Sequence, residues 1–184
     1  MSFRYEIRLS GASGQGLILV GKILAEAAAI YDQKNATQSQ SYGPESRGGA
    51  SRSEVIISDE DIEYPKLKRV DLLLAMTQEA LNAYAGDVKS GGIIIVDTVF
   101  VNSVPEGDYT IYRFPFTRFA EKNIGKRVVA NIVALGAIAR LAQIISDEAL
   151  INAIKARVPK GTEEINILAF KHGQGLIEAG NGSA

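Results

Sequence analysis

The sequence predicts an α/β fold, with a mixed, mostly parallel β-sheet held between two layers of helices. Two patterns carry that prediction. Short apolar or alternating runs suited to strands recur between longer runs suited to helices, beginning with a strand, a Gly-rich turn and a helix. Two consecutive strand-like runs, 35–42 and 51–58, have no helix between them, so they must pair antiparallel or separate, which breaks a purely parallel order. With 184 residues, 46% of them hydrophobic, the chain can enclose a core as one domain over 1–184. The expected architecture is three-layer α/β/α and Rossmann-like.

Residues 3–10, FRYEIRLS, set Phe3, Tyr5, Ile7 and Leu9 against polar neighbours at a period of two, a strand pattern. The turn SGASGQG (10–16) leads into LILVGKILAEAAAIYD (17–32), rich in Leu, Ala and Ile and long enough for a helix ending near Asp32. NATQSQSY (35–42) and SRSEVIIS (51–58) form the pair of strands noted above. VDLLLAM (70–76) is continuously apolar, as in a strand covered on both faces. In TQEALNAYAGDV (77–88), Thr77 suits a helix N-cap and Glu79 places negative charge in the first turn. GGIIIVDTVF (91–100) is a second buried strand, and YTIYRFPF (109–116) follows the turn VPEGD as another.

The remainder is helical: KRVVANIVALGAIARLAQ (126–143), SDEALINAIKARVP (146–159) from a Ser146 cap, and INILAFKHGQGLIEAG (165–180). In the first of these, Val128, Val129, Ile132, Val133, Leu135, Ile138 and Leu141 spread beyond one narrow stripe. Such a helix is either central to its domain or partly covered by another chain.

Composition excludes several classes of function. A net charge of −1 gives no overall attraction to nucleic acid. No apolar run approaches the length of a membrane span, and MSFRYEIRLSG lacks the basic and apolar segments of a signal peptide. A cytoplasmic protein with neither a nucleic-acid nor a membrane partner is expected. There is no cysteine, hence no cysteine-ligated iron–sulfur cluster, disulfide or thiol nucleophile. The single histidine, His172, excludes a zinc site of the usual His/Cys kind and reads as a helix-end residue, not a general base. No catalytic residue and no metal ligand are expected in this chain.

Two Gly-rich patches remain. In GASGQG the glycines Gly11, Gly14 and Gly16 follow Gly-x-x-Gly-x-Gly, not the dinucleotide fingerprint Gly-x-Gly-x-x-Gly, and no Walker lysine follows. What the turn does offer is backbone N–H groups at a helix N-terminus, with Ser13 and Gln15 beside them, suited to an anion. A tight strand-to-helix turn without a ligand reads equally well. The second patch, Gly43 to Ala50, is longer than a hairpin requires, and Arg47 and Arg52 flank its glycines with forked donors suited to phosphate or carboxylate. Glu45 and Glu54 offer those arginines an internal alternative.

In order and separation the two patches resemble those of the gamma subunit or domain of the 2-oxoacid:ferredoxin oxidoreductases. That family carries a Gly-x-Gly-Gly-Gln-Gly-like turn after the first strand and then a Gly-rich, arginine-bearing loop. Here they read GASGQG and QSYGPESRGGASRSEVIIS. The resemblance continues through YPKLKRVDLLLAMTQEAL and NIVALGAIARL, so it covers most of the chain. The form of Tyr42 to Gly49 is closer to the 2-oxoglutarate branch than to the pyruvate branch. Ser13 departs from the pattern, standing where many members carry glycine.

The resemblance implies a non-redox gamma subunit of a complex that oxidatively decarboxylates a 2-oxoacid to its acyl-CoA and passes electrons to ferredoxin. Thiamine diphosphate with Mg and the iron–sulfur clusters would then belong to alpha, beta and delta (ferredoxin-like) partners, and the isolated chain would be inactive. The resemblance also implies a place on the coenzyme A side. Gly11, Ser13, Gly14, Gln15 and Gly16 are one candidate contact set, and Tyr42, Gly43, Arg47, Gly48, Gly49 and Arg52 are another, the latter equally open to a partner subunit. The alternatives are the comparable subunit of a pyruvate, ketoisovalerate or indolepyruvate oxidoreductase, or a stand-alone anion- or nucleotide-binding α/β protein.

Overall fold

The computed structural model describes residues 2–42 and 50–179. The elements run β1 (Arg4–Ala12), α1 (Leu17–Glu26), β2 (Asn35–Tyr42), β3 (Ala50–Ser58), β4 (Val70–Ala75), α2 (Gln78–Tyr84), β5 (Val88–Asp97) and β6 (Tyr109–Phe114). They continue with α3 (Phe116–Phe119), α4 (Ala130–Ala142), α5 (Asp147–Arg157) and α6 (Glu163–Glu178). The strands form one six-stranded sheet in the order β2-β3-β1-β4-β5-β6, and β3 alone runs against the others. The mixed, mostly parallel sheet is as expected, and 35–42 and 51–58 do pair antiparallel.

Strand order determines where a site can form. The chain leaves β1 through α1 toward β2 on one side, returns along β3, and enters β4 on the other side of β1. The carboxyl end of β1 is therefore a topological switch point, the place where crossovers diverge and open a crevice.

The larger core packs α1, α4, α5 and α6 on one face of the sheet, against Ile7, Leu9, Leu72, Leu74 and Ile95. The opposite face carries a smaller cluster in which Leu81 of α2 meets Val70, Leu73, Ala75, Ile94 and Val96. β4 is thus apolar on both faces because it is covered on both. Helix α4 is buried from Ala130 to Ala139, which makes it the central helix of the fold. It approaches α6 so closely that a Cβ on Gly136 or Gly173 would overlap backbone of the other helix.

Local signals act as read. The Thr77 hydroxyl accepts the Ala80 N–H at 3.2 Å, and Ser146 accepts from Ala149 at 3.1 Å, each capping its helix. Asp32, at the end of the widened last turn of α1, accepts from both the N–H and the hydroxyl of Ser146 at 2.7 Å and so ties α1 to α5.

Three details differ from expectation. β5 starts at Val88, and its ladder with β4 shifts register between Val70 and Leu72, near Gly91 at φ 74°. A short helix at Phe116–Phe119 continues as a widened turn to Ile124 and stops at Gly125, which is left-handed at φ 83°. His172 lies more than a turn before the end of α6, with its ring edge-on to Phe119 at 5.4 Å, so it packs on α3 and does not cap the helix end. Among the described residues no helix is long and apolar enough to cross a membrane.

Candidate functional site

The first Gly-rich patch caps β1 at the switch point. Gly14 and Gly16 are both left-handed, at φ 90° and 74°, a backbone that glycine adopts without a Cβ penalty. Gln15 lies at the centre of the turn. Its N–H donates to the Ala12 carbonyl at 3.2 Å, and its side-chain oxygen accepts the Ala12 N–H at 2.7 Å. Its amide nitrogen donates across to the Met76 carbonyl at the end of β4, at 3.4 Å. The side chain of Gln15 is thus occupied in joining β1 to β4. Gly11 is small because a Cβ there would overlap that same Gln15 oxygen. Ser13 and Gly14 are exposed at the tip.

Helix α1 starts directly from Gly16, and no side chain caps it. Its first-turn N–H groups have no intrahelical acceptor and lie at the positive end of the helix dipole. The Gly16 carbonyl receives a bond from the side-chain amide of Asn131, the buried polar residue in the first turn of α4, at 3.0 Å.

Around this turn the structure forms a crevice of about 560 Å³, lined among others by Gly14, Gln15, Thr77, Phe100, Arg127 and Asn131. A smaller groove of about 210 Å³ lies on the other side of Gly14 and Asn131, where Lys126, Val128 and Ile165 contribute. The wall at β5 is braced by Asp97, which is fully buried. Its carboxylate accepts from the Thr117 N–H at 3.1 Å, the Thr117 hydroxyl at 2.5 Å and the Val99 N–H at 3.0 Å. At the rim the Arg127 guanidinium lies 3.1 Å from Glu121 and 5.6 Å from the centre of the Phe100 ring. Val128 beside it is 76% exposed. The site therefore combines backbone donors, two cations (Lys126 and Arg127) and an apolar lining, a chemistry suited to an elongated ligand with an anionic end.

Of the sequence-predicted residues, Gly11 to Gly16 come together here. Gly43, Arg47, Gly48 and Gly49 lie outside the described residues. Tyr42, at the end of β2, is exposed and does not line the crevice. Arg52 is also elsewhere, in a charged cluster on the α2 side of the sheet. There Arg8, 3% exposed, pairs with Glu54 at 2.9 Å and Asp87 at 2.6 Å, while Arg52 reaches Glu54 at 3.3 Å. Both guanidinium groups lie over the Tyr84 ring, at 4.8 and 5.6 Å. Sequence reasoning missed Thr77, Phe100, Arg127 and Asn131 as site residues. A lone Asn inside an apolar helix was the one available signal.

The donor set does not fit a metal or cluster cofactor. The chain has no cysteine and one histidine, and no group of three His, Cys, Asp or Glu side chains is suitably placed among the described residues.

Residues 6–176 match the family described as Pyruvate ferredoxin/flavodoxin oxidoreductase, and the chain belongs to that family. It is 54% identical over 175 residues to the 2-oxoglutarate synthase subunit KorC of Methanocaldococcus jannaschii, with 94% of each chain covered. It superposes with a TM-score of 0.88 and 50% identity on the gamma subunit of keto/oxoacid ferredoxin oxidoreductase from Geobacter sulfurreducens, over 96% of this chain and 98% of that one. The same fold makes up 31% of a chain of 2-oxoglutarate:ferredoxin oxidoreductase from Magnetococcus marinus, determined with 2-oxoglutarate, coenzyme A and succinyl-CoA bound. That match covers 96% of this chain at 24% identity, with a TM-score of 0.85.

Proposed function

We propose that this chain is the gamma subunit of a 2-oxoglutarate:ferredoxin oxidoreductase, and that it serves the coenzyme A side of the complex. The observation that carries the subunit assignment is the 54% identity to a 2-oxoglutarate synthase subunit across 94% of both chains. The complex converts a 2-oxoacid and coenzyme A to the acyl-CoA and carbon dioxide, with two electrons leaving to ferredoxin. Thiamine and iron–sulfur chemistry are supplied by the alpha, beta and delta-type partners, since the donors in this chain suit neither.

The part played by this chain is binding and positioning. Coenzyme A carries its phosphates on the nucleotide half, and beyond them a long pantetheine arm of short alkyl segments joined by amides. The first-turn N–H groups of α1 and the exposed Gly14 backbone would meet phosphate, with Arg127 and Lys126 adding charge at the rim. Phe100, Val128 and Ile165 would flank the arm. Gln15 and Asn131 hold the turn in shape from behind. The Arg47-bearing loop is the second contact, to coenzyme A or a partner subunit.

Anaerobic affinity purification of the tagged chain, followed by assay of the recovered material, tests this reading. Expected is co-purification in fixed ratio with thiamine-binding and cysteine-rich chains, together with 2-oxoglutarate- and coenzyme A-dependent reduction of ferredoxin. Recovery of the chain alone, or activity with pyruvate but not 2-oxoglutarate, would overturn it.

A further inference from the structure

β2 is an edge strand, and it lacks the features by which edge strands are usually kept from pairing. Natural edges are short, bulged, or interrupted by lysine or proline. β2 runs eight residues, NATQSQSY, with no charge and no proline. Its ladder with β3 continues without a break from Asn35↔Ser58 to Tyr42↔Ser51. Among the described residues nothing pairs with its outer side. The opposite edge, β6, is shorter and carries the exposed Arg113.

The exposed apolar residues point the same way. Tyr42, at the carboxyl end of β2, is 64% exposed. Ile30 and Tyr31, in the turn of α1 that precedes the amino end of β2, are 67% and 41% exposed. An antiparallel pairing of β2 with its own copy brings the Tyr42 end of each strand to the Ile30–Tyr31 end of the other. Both apolar ends are then covered at once, and tyrosine is among the residues that contribute most at interfaces. In a two-fold pairing a charge near the axis would meet its own copy. β2 carries none.

We infer that two copies of this chain join edge to edge along β2, making one sheet continuous across a two-fold axis. The inference concerns self-association of the purified chain and does not depend on the oxidoreductase reading. Its failure would leave co-purification and activity untouched.

Sedimentation velocity of the full chain at micromolar concentrations tests it, with Gln40→Lys and Gln40→Glu as probes. Gln40 is exposed near the middle of β2 and lies opposite the neutral Ser53, so neither charge meets a like charge within one chain. The wild type is expected to be a dimer. Each variant alone should dissociate at least about tenfold more readily, and an equal mixture of the two should recover the dimer, because with the axis at Ser39 opposite charges at residue 40 lie diagonally across it within reach of each other. Unchanged circular dichroism identifies the effect as one on association. A monomeric wild type would overturn the inference, including the case in which β2 pairs only with a strand of another subunit. So would a dimer indifferent to both substitutions, or a mixture no better than either variant alone.

Discussion

The side-chain amide of Asn131 donates to the carbonyl of Gly16 across 3.0 Å, although 115 residues separate them in the chain. The bond fixes the last residue of the Gly-rich turn to the first turn of the central helix α4. Asn131→Ala removes it and leaves the half-buried Gly16 carbonyl with only the Val20 N–H, at a cost of about 1 kcal/mol. Asn131→Asp should cost more, because a carboxylate oxygen would then face the Gly16 carbonyl. Urea denaturation of the purified chain checks the order, and in the complex the apparent KM for coenzyme A should rise with both. Wild-type values for Asn131→Asp in both measurements would refute the role assigned to this amide.

Helices α4 and α6 meet through glycine, which gives a paired test. A Cβ on Gly173 would overlap the Val133 carbonyl oxygen and lie 3.0 Å from the Gly136 Cα, and backbone cannot move aside as a side-chain end can. Gly173→Ala should therefore destabilise by about 1–3 kcal/mol through overpacking. Gly175, on the same helix, has nothing within 4 Å of its added Cβ. Gly175→Ala should stabilise by about 0.5–1 kcal/mol from helix propensity alone. Thermal unfolding should show the two midpoints moving in opposite directions.

Buried Asp97 satisfies three donors, two of them on Thr117. Asp97→Ala leaves all three unpaired and should cost about 3 kcal/mol or more, whereas Thr117→Val removes one donor at near-constant shape and should cost about half as much. The double variant should lose less than the sum, since the two groups share a bond. Additive losses in a denaturant-based double-mutant cycle would mean that Asp97 acts mainly through the backbone N–H groups of Val99 and Thr117.

At alkaline pH the relevant group is Tyr5. Burial, and secondarily the charge of Asp71, push its phenol up to about 12 from the ordinary 10.0. The folded state therefore holds this proton where the unfolded state releases it. The contribution is intact below pH 10 and is lost as pH rises toward 12. Tyr5→Phe should flatten stability against pH in that window, and spectrophotometric titration should show a late-ionising phenol in the native wild type that the variant lacks. A wild-type slope in the variant would assign the alkaline loss to other groups.

The legibility of these features in sequence follows from how local their causes are. β4 could be read because VDLLLA is buried on both faces, and α2 and α5 because Thr77 and Ser146 cap them within three residues. The short helix at Phe116 was missed because it is brief, although Gly125 marks its end. For the central helix, periodicity left two readings, and only the burial of Ala130–Ala139 against the rest of the fold decided between them. In the crevice, Gly11–Gly16 form one contiguous turn and were visible. Phe100, Arg127 and Asn131 reach the same space by separate crossovers, so no spacing links them to Gly14. Sequence likewise showed the donors of Arg52 but not its neighbours Arg8 and Tyr84, which other strands and helices deliver.

That difference between Arg52 and Arg47 yields the last prediction. Arg52 is held by Glu54 and stacks on Tyr84, beside the nearly buried Arg8–Glu54 pair. Its side chain remains about a third exposed, at 36%, so the ion pair is partly screened and contributes on the order of 1 kcal/mol at most. Arg52→Ala should therefore lower stability slightly and leave the KM for coenzyme A unchanged. Arg8→Ala should do far more damage, because Glu54 and Asp87 lose the cation they share. Arg47→Ala should instead change function. If its loop meets coenzyme A, the apparent KM rises while the complex stays assembled; if it meets a partner, assembly weakens first. Steady-state kinetics and size-exclusion chromatography on the same preparation separate the two, and a variant unchanged in both would remove Arg47 from the site.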